Sequence, residues 1–213
     1  MGAGIEVLPR PRFSNAREEL RASQRGRLMA AMADSVGAKG YPATTVADVI
    51  ALAGVSRKTF YEYFEDKEDC FLAAYDHGAK TTHEAMVQAA EGLTDWRDIL
   101  DAVLTTWLEF LDADLAFTRA YMIEFWGAGD AARERWKLRR DRTGELMKTL
   151  HKLARKEDPS IVRVSDTVVA AVVGGVNRVL ISQVLSGSDK PLVELKPELV
   201  RFIKLALASH EPA

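Results

Sequence analysis

Helical periodicity, interrupted at short intervals by glycine and proline, is the sequence feature that most constrains this fold. Apolar residues recur at positions i, i+3 and i+4, as Leu28, Ala31 and Met32 do, and no alternating strand pattern runs for more than a few residues. Gly40 and Pro42 end the first periodic segment, because glycine suits a helix C-terminus and proline cannot continue a helix. The pattern predicts an all-α chain of about nine helices.

Several of the predicted helices have clear start signals. Ser23, Thr45, Ser56 and Asp66 stand where N-cap residues are expected, and Asp48 gives Thr45 the spacing of a capping box. Taken in order, the helices are expected to cover about residues 23–39, 45–53, 56–64, 67–91, 96–111, 115–126, 130–156, 165–185 and 197–208. The eighth segment is apolar on nearly all sides, which indicates a helix that one neighbour cannot cover.

The composition is that of a soluble globular protein. The chain has 213 residues, of which 47% are hydrophobic and 28% charged. Its formal net charge is −2, so a nucleic-acid surface would have to be a local patch. The single cysteine, Cys70, can form neither an internal disulfide nor a cysteine-based zinc site. The longest apolar run ends at Asn177, short of the ~20 residues that span a bilayer, and no apolar targeting segment is visible, so we expect a cytoplasmic protein.

A pair of short helices joined at Gly54 carries the most functional information. Two short amphipathic helices and a tight turn make a helix-turn-helix, whose second helix can enter the major groove of DNA. Arginine and lysine on that helix can reach guanine or phosphate, and hydroxyl groups can bond phosphate oxygens. The candidate DNA-binding residues are Thr45, Ser56, Arg57, Lys58, Thr59, Tyr61, Tyr63 and Lys67. The alternative is a merely solvated helix face, which does not account for exposed tyrosines beside arginine and lysine.

The same region resembles the DNA-binding domain of the TetR family. The resemblance covers about residues 23–75 and is carried by four ordered motifs: GYPATTV at 40–46, AGVS at 53–56, TFYEYF at 59–64 and DKE at 66–68. It implies an all-helical, homodimeric bacterial transcription regulator, usually a repressor that a small ligand releases from its operator. Lys58 stands where many members have a small residue, so operator preference should not be copied from them. Tyr63 stands where histidine is common, and both can bond a phosphate.

The resemblance also divides the candidate DNA contacts into two groups. It assigns contacts to bases, or near them, to Ser56, Arg57, Lys58 and Thr59. It assigns contacts to phosphates to Thr45, Tyr61, Tyr63 and Lys67. The expected organisation is a flexible basic arm at residues 1–22, containing Arg10, Arg12, Arg17 and Arg21, a three-helix DNA-binding domain at 23–67, and a helical ligand-binding and dimerisation domain at 68–213.

A dimer contact is predicted at the eighth and ninth helices. Gly174 and Gly175 remove side chains so that another helix can approach, and the segment around them resembles the dimerisation helices of the family. Phe202 on the ninth helix joins them as a candidate interface residue. A two-fold dimer would bury the surplus apolar surface of the eighth helix. The alternative is a central helix wrapped within one subunit.

A small-molecule site is predicted mainly from the resemblance. The fourth to eighth helices carry large apolar side chains with a few polar groups, which is the usual make-up of a ligand pocket. The candidate ligand-binding residues are His83, Met86, Trp107, Tyr121, Phe125, Met147 and Asn177. They favour an apolar or aromatic effector over a highly charged one. Ordinary core packing is the alternative, because aromatic residues at helical spacing normally hold helices together.

An enzyme is not expected. The four histidines, His77, His83, His151 and His210, form no metal-binding pattern, and no nucleophile elbow, P-loop or dinucleotide motif is present. No catalytic residue, metal or cofactor is therefore predicted. The predicted partners are operator DNA, a small-molecule effector and a second copy of the chain. A helical ligand carrier or scaffold without DNA binding is the alternative function, and it leaves the predicted DNA-binding face unexplained.

Overall fold

A computed structural model describes residues 22–210, and this part of the chain contains nine α-helices and no β-strand. In order, the helices are α1 (Gln24–Lys39), α2 (Val46–Ala53), α3 (Arg57–Tyr63), α4 (Lys67–Ala90), α5 (Trp96–Ala113), α6 (Leu115–Met122), α7 (Asp130–Glu157), α8 (Asp166–Leu185) and α9 (Lys196–Leu207). The predicted all-α fold is confirmed. Apart from its last residue, the predicted arm at 1–22 lies outside the described residues.

The predicted N-caps hold the starts of the N-terminal helices. The Ser23 hydroxyl accepts a hydrogen bond from the Gly26 amide at 2.9 Å, which satisfies one free donor at the start of α1. Thr45 and Asp48 form the reciprocal capping box of α2. Gly54 ends α2 with φ +62°, a left-handed conformation that glycine adopts without steric cost. Because these signals are local, the helix bounds predicted for the helix-turn-helix agree with the observed ones to within a residue or two.

The sixth helix is shorter than predicted. It was expected to continue to about residue 126, but α6 ends at Met122 and a 3₁₀-helix covers Glu124–Ala128. Ile123 marks the change, with φ −110° and ψ −55°. Tightening of the last turn into 3₁₀ geometry is common at helix ends. The change brings Phe125 inward, where it is fully buried.

Two buried clusters hold the molecule together. The first contains residues of α1, α2, α3 and α4. It also contains residues of α6, the 3₁₀-helix and the start of α7, including Tyr121, Phe125 and Ala132. The second joins α5, α7, α8 and α9. The first cluster extends across the domain boundary predicted after residue 67, so that boundary stays a prediction. The helix-turn-helix and the C-terminal helices share a core rather than meeting at a polar surface.

The contact between α1 and α6 leaves no room for a side chain. A Cβ on Gly37 would lie within contact distance of the carbonyl oxygen and Cα of Ala116, both of which are backbone atoms. The Arg119 guanidinium also donates to the Gly37 carbonyl at 3.3 Å. The Tyr41 amide donates to the Glu124 carboxylate at 3.3 Å, just beyond this contact. The helix-turn-helix region is thus anchored to α6 and the 3₁₀-helix by this close approach and by two side-chain hydrogen bonds to its backbone.

Replacement of Gly37 by alanine is expected to destabilise the protein by about 1–3 kcal/mol, because the backbone of α6 must move to admit the methyl group. Gly144 is a matched control in the middle of α7, where an added Cβ meets only Val169 at an ordinary 3.6 Å. Gly144→Ala should be neutral or stabilise the protein by up to about 1 kcal/mol through helix propensity. Urea unfolding at equal protein concentration measures both. Equal effects of the two substitutions would contradict the close packing of α1 on α6.

Candidate nucleic-acid interface, ligand region and dimer face

The helix-turn-helix presents one face to the core and one to solvent. Val49 of α2 and Phe60 of α3 are fully buried, and Phe64 is nearly so. The rings of Phe60 and Phe64 lie 5.8 Å apart, which fixes α3 against the rest of the domain. Arg57, Lys58, Tyr61 and Tyr63 cannot share this buried face and are exposed.

The exposed face of α3 is rich in free donors. Tyr61 and Tyr63 are 52% and 42% exposed. Lys58 is paired with Glu62 only at 3.9 Å, and its side chain is 88% exposed. An exposed pair at this spacing contributes only about 0.3–0.5 kcal/mol. Lys58 can therefore exchange this partner for a base or a phosphate at little cost.

Ser56, Thr59 and Thr45 have local structural partners. The Ser56 hydroxyl accepts from the Thr59 amide at 3.0 Å and lies 2.9 Å from the Thr59 hydroxyl. The Thr45 hydroxyl donates to the Asp48 carboxylate at 2.6 Å. All three residues lie at helix N-termini beside α3, where the helix dipole favours an anion. Any contact of these hydroxyl groups with phosphate would have to form while their capping hydrogen bonds are kept.

Asp48 introduces a negative charge that the sequence did not suggest at this face. Its carboxylate lies 2.6 Å from the Lys39 ammonium. Hydrogen bonds from Lys39 and Thr45 lower the pKa of Asp48 well below its usual range. The carboxylate is thus ionised at neutral pH, and Lys39 neutralises it. Sequence periodicity could not find the pairing of Lys39 with Asp48, because the two residues lie on different helices.

Lys67 is engaged within the protein. Its ammonium group donates to the carbonyl oxygens of Tyr41 and Thr44, each at 3.0 Å, and lies 4.4 Å from the centre of the Tyr41 ring. It therefore ties the start of α4 to the connection between α1 and α2. A lysine has three donors, so one remains for the phosphate contact predicted from the resemblance. That contact stays a prediction.

Two of the predicted ligand residues lie in a tightly packed aromatic cluster. The ring of Tyr121 stacks on Phe71 with 4.7 Å between centres, and Phe125 stacks on Tyr75 at 4.3 Å. The Tyr121 hydroxyl donates to the Phe71 carbonyl at 3.0 Å. Both rings bridge α4 to α6 and the 3₁₀-helix. In this conformation their contacts are those of core residues.

The other predicted ligand residues are spread over the C-terminal helices. His83 is exposed and Met86 half-buried on α4, whereas Met147 is buried in the second cluster. The Asn177 amide donates to Val173 of its own helix at 2.8 Å. Two open clefts lie elsewhere. One of about 410 Å³ lies among α1, α4 and α7, and one of about 610 Å³ lies between the end of α7 and residues 160–163. The seven residues are not gathered around one open pocket.

Sequence reasoning missed Arg139 on α7. Its guanidinium lies 5.7 Å from the centre of the half-buried Trp107 ring on α5. A signal was present, because Arg139 lies three residues after Trp136 and eight before Met147, on the otherwise apolar side of that helix. A charged residue in an apolar stripe is either paired or functional.

Helices α8 and α9 expose large apolar side chains to solvent beside Arg178 and Arg201: Val168, Val179, Leu185, Phe202 and Leu205. By length and composition alone α8 could cross a membrane, with a mean hydropathy of 1.8 over 18 residues, although a core helix passes the same test. Only 28% of those residues are buried. Phe202 is 42% exposed, and its ring lies 3.4 Å from the Cβ position of Gly175. Gly174 faces open space.

No metal centre is visible in the described chain. Residues 22–210 contain no group of three or more histidine, cysteine, aspartate or glutamate side chains that could hold a metal ion. Cys70 is fully buried, and its thiol lies 3.8 Å from the Leu28 carbonyl. Burial raises the pKa of this thiol far above its ordinary value. Cys70 is therefore a packed, unreactive thiol.

Comparison with known proteins places these features in a family. Residues 28–74 match the domain described as "Bacterial regulatory proteins, tetR family". The HTH-type transcriptional activator FasR of Mycolicibacterium smegmatis is 28% identical over 109 residues, and the match spans 49% of this chain and 50% of that protein. This chain thus matches about half the length of that curated relative.

Solved structures show the same fold over most of the chain. The regulator FadR of Bacillus subtilis, solved with stearoyl-CoA, superposes with a TM-score of 0.72 at 15% identity, covering 83% of this chain and 96% of its own. FadR of Bacillus halodurans superposes with a TM-score of 0.73 at 18% identity, covering 84% and 94%. Residues 28–74 thus match a TetR-type DNA-binding domain, and most of the chain shares the fold of these two regulators.

Proposed function

We propose that this protein is a ligand-responsive, DNA-binding transcription regulator that represses from its operator and is released by a small molecule. The observation that carries the proposal is the exposed face of α3. Arg57, Lys58, Tyr61 and Tyr63 are exposed side by side on a helix whose other face is anchored by Phe60. The match of residues 28–74 to the TetR-type DNA-binding domain supports the same function. FasR is described as an activator, so a reporter assay with and without the protein tests the sign of regulation.

The proposed DNA contacts follow from which groups are free. Arg57 and Lys58 lie in the first turn of α3 and would enter the major groove, where each can bond a guanine edge. Tyr61 and Tyr63 would contact phosphates on either side, which position the helix without reading sequence. Ser56 and Thr59 would lie at or near the bases beside them, and Thr45 and Lys67 would contribute phosphate contacts from helix N-termini. Lys39 belongs with this set, because it neutralises the one carboxylate beside Thr45.

A homodimer through α8 and α9 completes the proposed regulator. The exposed apolar face around Gly174 and Phe202 needs a cover, and a second copy of the chain provides one by two-fold symmetry. The dimer would present two α3 helices to two half-sites of an operator. The site of action would be the cytoplasm, where the DNA of a bacterium lies.

The effector would bind among α4 to α8. Its binding must favour the conformation that fits DNA poorly, since a ligand shifts an equilibrium only by its differential affinity. Two routes connect this region with α3: α4, which begins at Lys67, and α6, which touches α1 at Gly37. An apolar or aromatic effector would match the aromatic side chains of this region, Trp107, Tyr121 and Phe125, whose packing would have to open to admit it. The Bacillus subtilis FadR structure contains stearoyl-CoA, which shows a ligand with a long apolar tail in a protein of this fold.

Arg57→Ala and Lys58→Ala are each expected to weaken operator binding by about 1–3 kcal/mol if the side chain contacts a base. Tyr61→Phe should weaken binding to all DNA sequences more evenly, since it removes a phosphate contact. The matched control is Lys137→Ala, which removes an exposed charge from α7, far along the chain from α3. Gel-shift titration at fixed salt, with a fragment selected from a genomic library, measures the four variants. Unchanged affinity in Arg57→Ala, Lys58→Ala and Tyr61→Phe would favour a ligand-binding scaffold without DNA binding.

A further inference from the structure

Two buried hydrogen-bond donors lie at the junction of α4, α5 and α7. Neither the Tyr75 hydroxyl nor the Nε1 group of Trp107 donates to an acceptor. Tyr75 as a whole is 4% exposed. The guanidinium of Arg139 lies 5.7 Å from the Trp107 ring centre. Buried polar groups are almost always paired, so two orphaned groups beside one cation require an explanation.

Arg139 also lacks a counter-charge. No described carboxylate pairs with it, whereas Arg135, one turn earlier on α7, pairs with Asp76 at 3.0 Å. Burial raises the pKa of Tyr75, and the positive charge of Arg139 together with a hydrogen bond from its guanidinium opposes that rise. The guanidinium and the hydroxyl therefore lie close enough to act on one bound group. A half-buried arginine without an anion is costly, and the surrounding protein does not supply one.

Apolar surface lies directly beside these donors. Phe110, one turn after Trp107 on α5, contacts Phe117 with ring centres 5.5 Å apart, and Phe117 contacts Tyr121 at 4.3 Å. Phe117 also lies against Gly78, where its ring occupies the space of the missing side chain. The ring of Tyr75 itself contacts Tyr121, with 5.6 Å between centres, so this series of rings adjoins the donors. A ligand with a polar head and an apolar tail matches both parts of this arrangement.

We propose that the effector is an amphipathic carboxylate whose head is bound by Arg139, Tyr75 and Trp107 and whose tail lies among the adjacent aromatic rings. A guanidinium binds a carboxylate through two parallel hydrogen bonds, and the hydroxyl and indole groups supply further donors. This inference rests on the proposed ligand response and makes it more specific: the effector carries one negative charge on an otherwise apolar body. A neutral alcohol of the same length accepts fewer and weaker hydrogen bonds from these donors, and a quaternary ammonium accepts none.

Isothermal titration calorimetry with dodecanoate, dodecanol and dodecyltrimethylammonium, all below their micellar concentrations, tests the proposal. Wild-type protein is expected to bind dodecanoate at least about tenfold more tightly than dodecanol, since hydrogen bonds to a charged group are the strong ones. Dodecyltrimethylammonium should bind more weakly than either. Arg139→Gln should abolish the preference for dodecanoate while dodecanol still binds. The continued binding of dodecanol shows that the variant is folded.

Conservative variants separate the three donors. Arg139→Lys should keep part of the preference, because the charge remains but the planar fork is lost. Tyr75→Phe and Trp107→Phe each remove one donor and should reduce the preference without abolishing it. Arg142→Gln is the matched control, because Arg142 is an exposed arginine three residues further along α7.

The possible outcomes distinguish this proposal from the proposed function. Equal binding of dodecanoate and dodecanol by wild type would overturn the carboxylate site and leave an apolar effector in place. A preference that survives Arg139→Gln, or is lost equally in Arg142→Gln, would also overturn it. If no probe binds, both the carboxylate site and an apolar effector are rejected.

Discussion

Replacement of Gly174 by glutamate is expected to convert the proposed dimer into monomers and to weaken operator binding by about 10²–10⁴-fold, the range that joining two binding modules provides. In a single chain Gly174 faces open space, so a glutamate side chain there meets no atom of its own subunit. In a two-fold contact it would bury an unpaired charge on each side of the interface. The effect on the folded monomer should therefore be small and the effect on association large.

Leu138→Glu is the matched control for this substitution. Leu138 is 58% exposed on α7 and gives the same change from an uncharged residue to a charged one outside α8 and α9. Analytical ultracentrifugation at micromolar concentration should show a dimer for wild type and Leu138→Glu, and a monomer for Gly174→Glu. Circular dichroism checks that all three are helical. A Gly174→Glu protein that remains dimeric would place the interface elsewhere.

Replacement of Phe71 by alanine is expected to lower the free energy of unfolding by about 3–5 kcal/mol, as for other fully buried phenylalanines. Phe71 is completely buried, and its ring contacts Tyr41, Tyr121 and Phe125 with centres 4.7–5.7 Å apart. The substitution leaves a cavity where the DNA-binding region meets α6 and the 3₁₀-helix. Any ligand response transmitted through this contact should weaken as well.

The control for Phe71→Ala is Val87→Ala on the same helix. Val87 is 57% exposed, so its truncation should change stability by no more than about 0.5 kcal/mol. Urea unfolding at one fixed protein concentration is the measurement, because the stability of a dimer depends on concentration. A loss below about 1 kcal/mol for Phe71→Ala would show that the aromatic cluster rearranges to fill the space.

The helices could be predicted because their ends are encoded locally. Ser23, Thr45, Ser56 and Asp66 each accept a hydrogen bond from an amide within their own first turn. No long-range contact is needed to produce these starts. The end of α6 was not predictable in the same way, because it depends on tertiary contacts. The 3₁₀-helix directs the Phe125 side chain into the buried cluster that includes α1 and α4.

The candidate site was only partly predictable. The exposed face of α3 follows from the spacing of Phe60 and Phe64. These two residues define the buried side of the helix, so the residues on its opposite side are exposed. The partners of Lys67 could not be read from the sequence, because they are backbone carbonyls more than twenty positions away. Arg139 gave a weak signal as a charge in an apolar stripe. Its neighbours Tyr75 and Trp107 lie on two other helices, and only the fold brings them together.

The contact of Gly37 with Ala116 has a mechanical consequence. In most helix pairs the side chains between the axes act as a compliant layer, which absorbs small displacements by changing rotamer. Here backbone meets backbone, and that layer is missing. A group that inserts beside Phe117 and displaces α6 by less than an ångström would therefore displace α1 as well. The displacement of α3 would then depend on how far α3 lies from this contact, because α1 and α6 would move as one rigid unit.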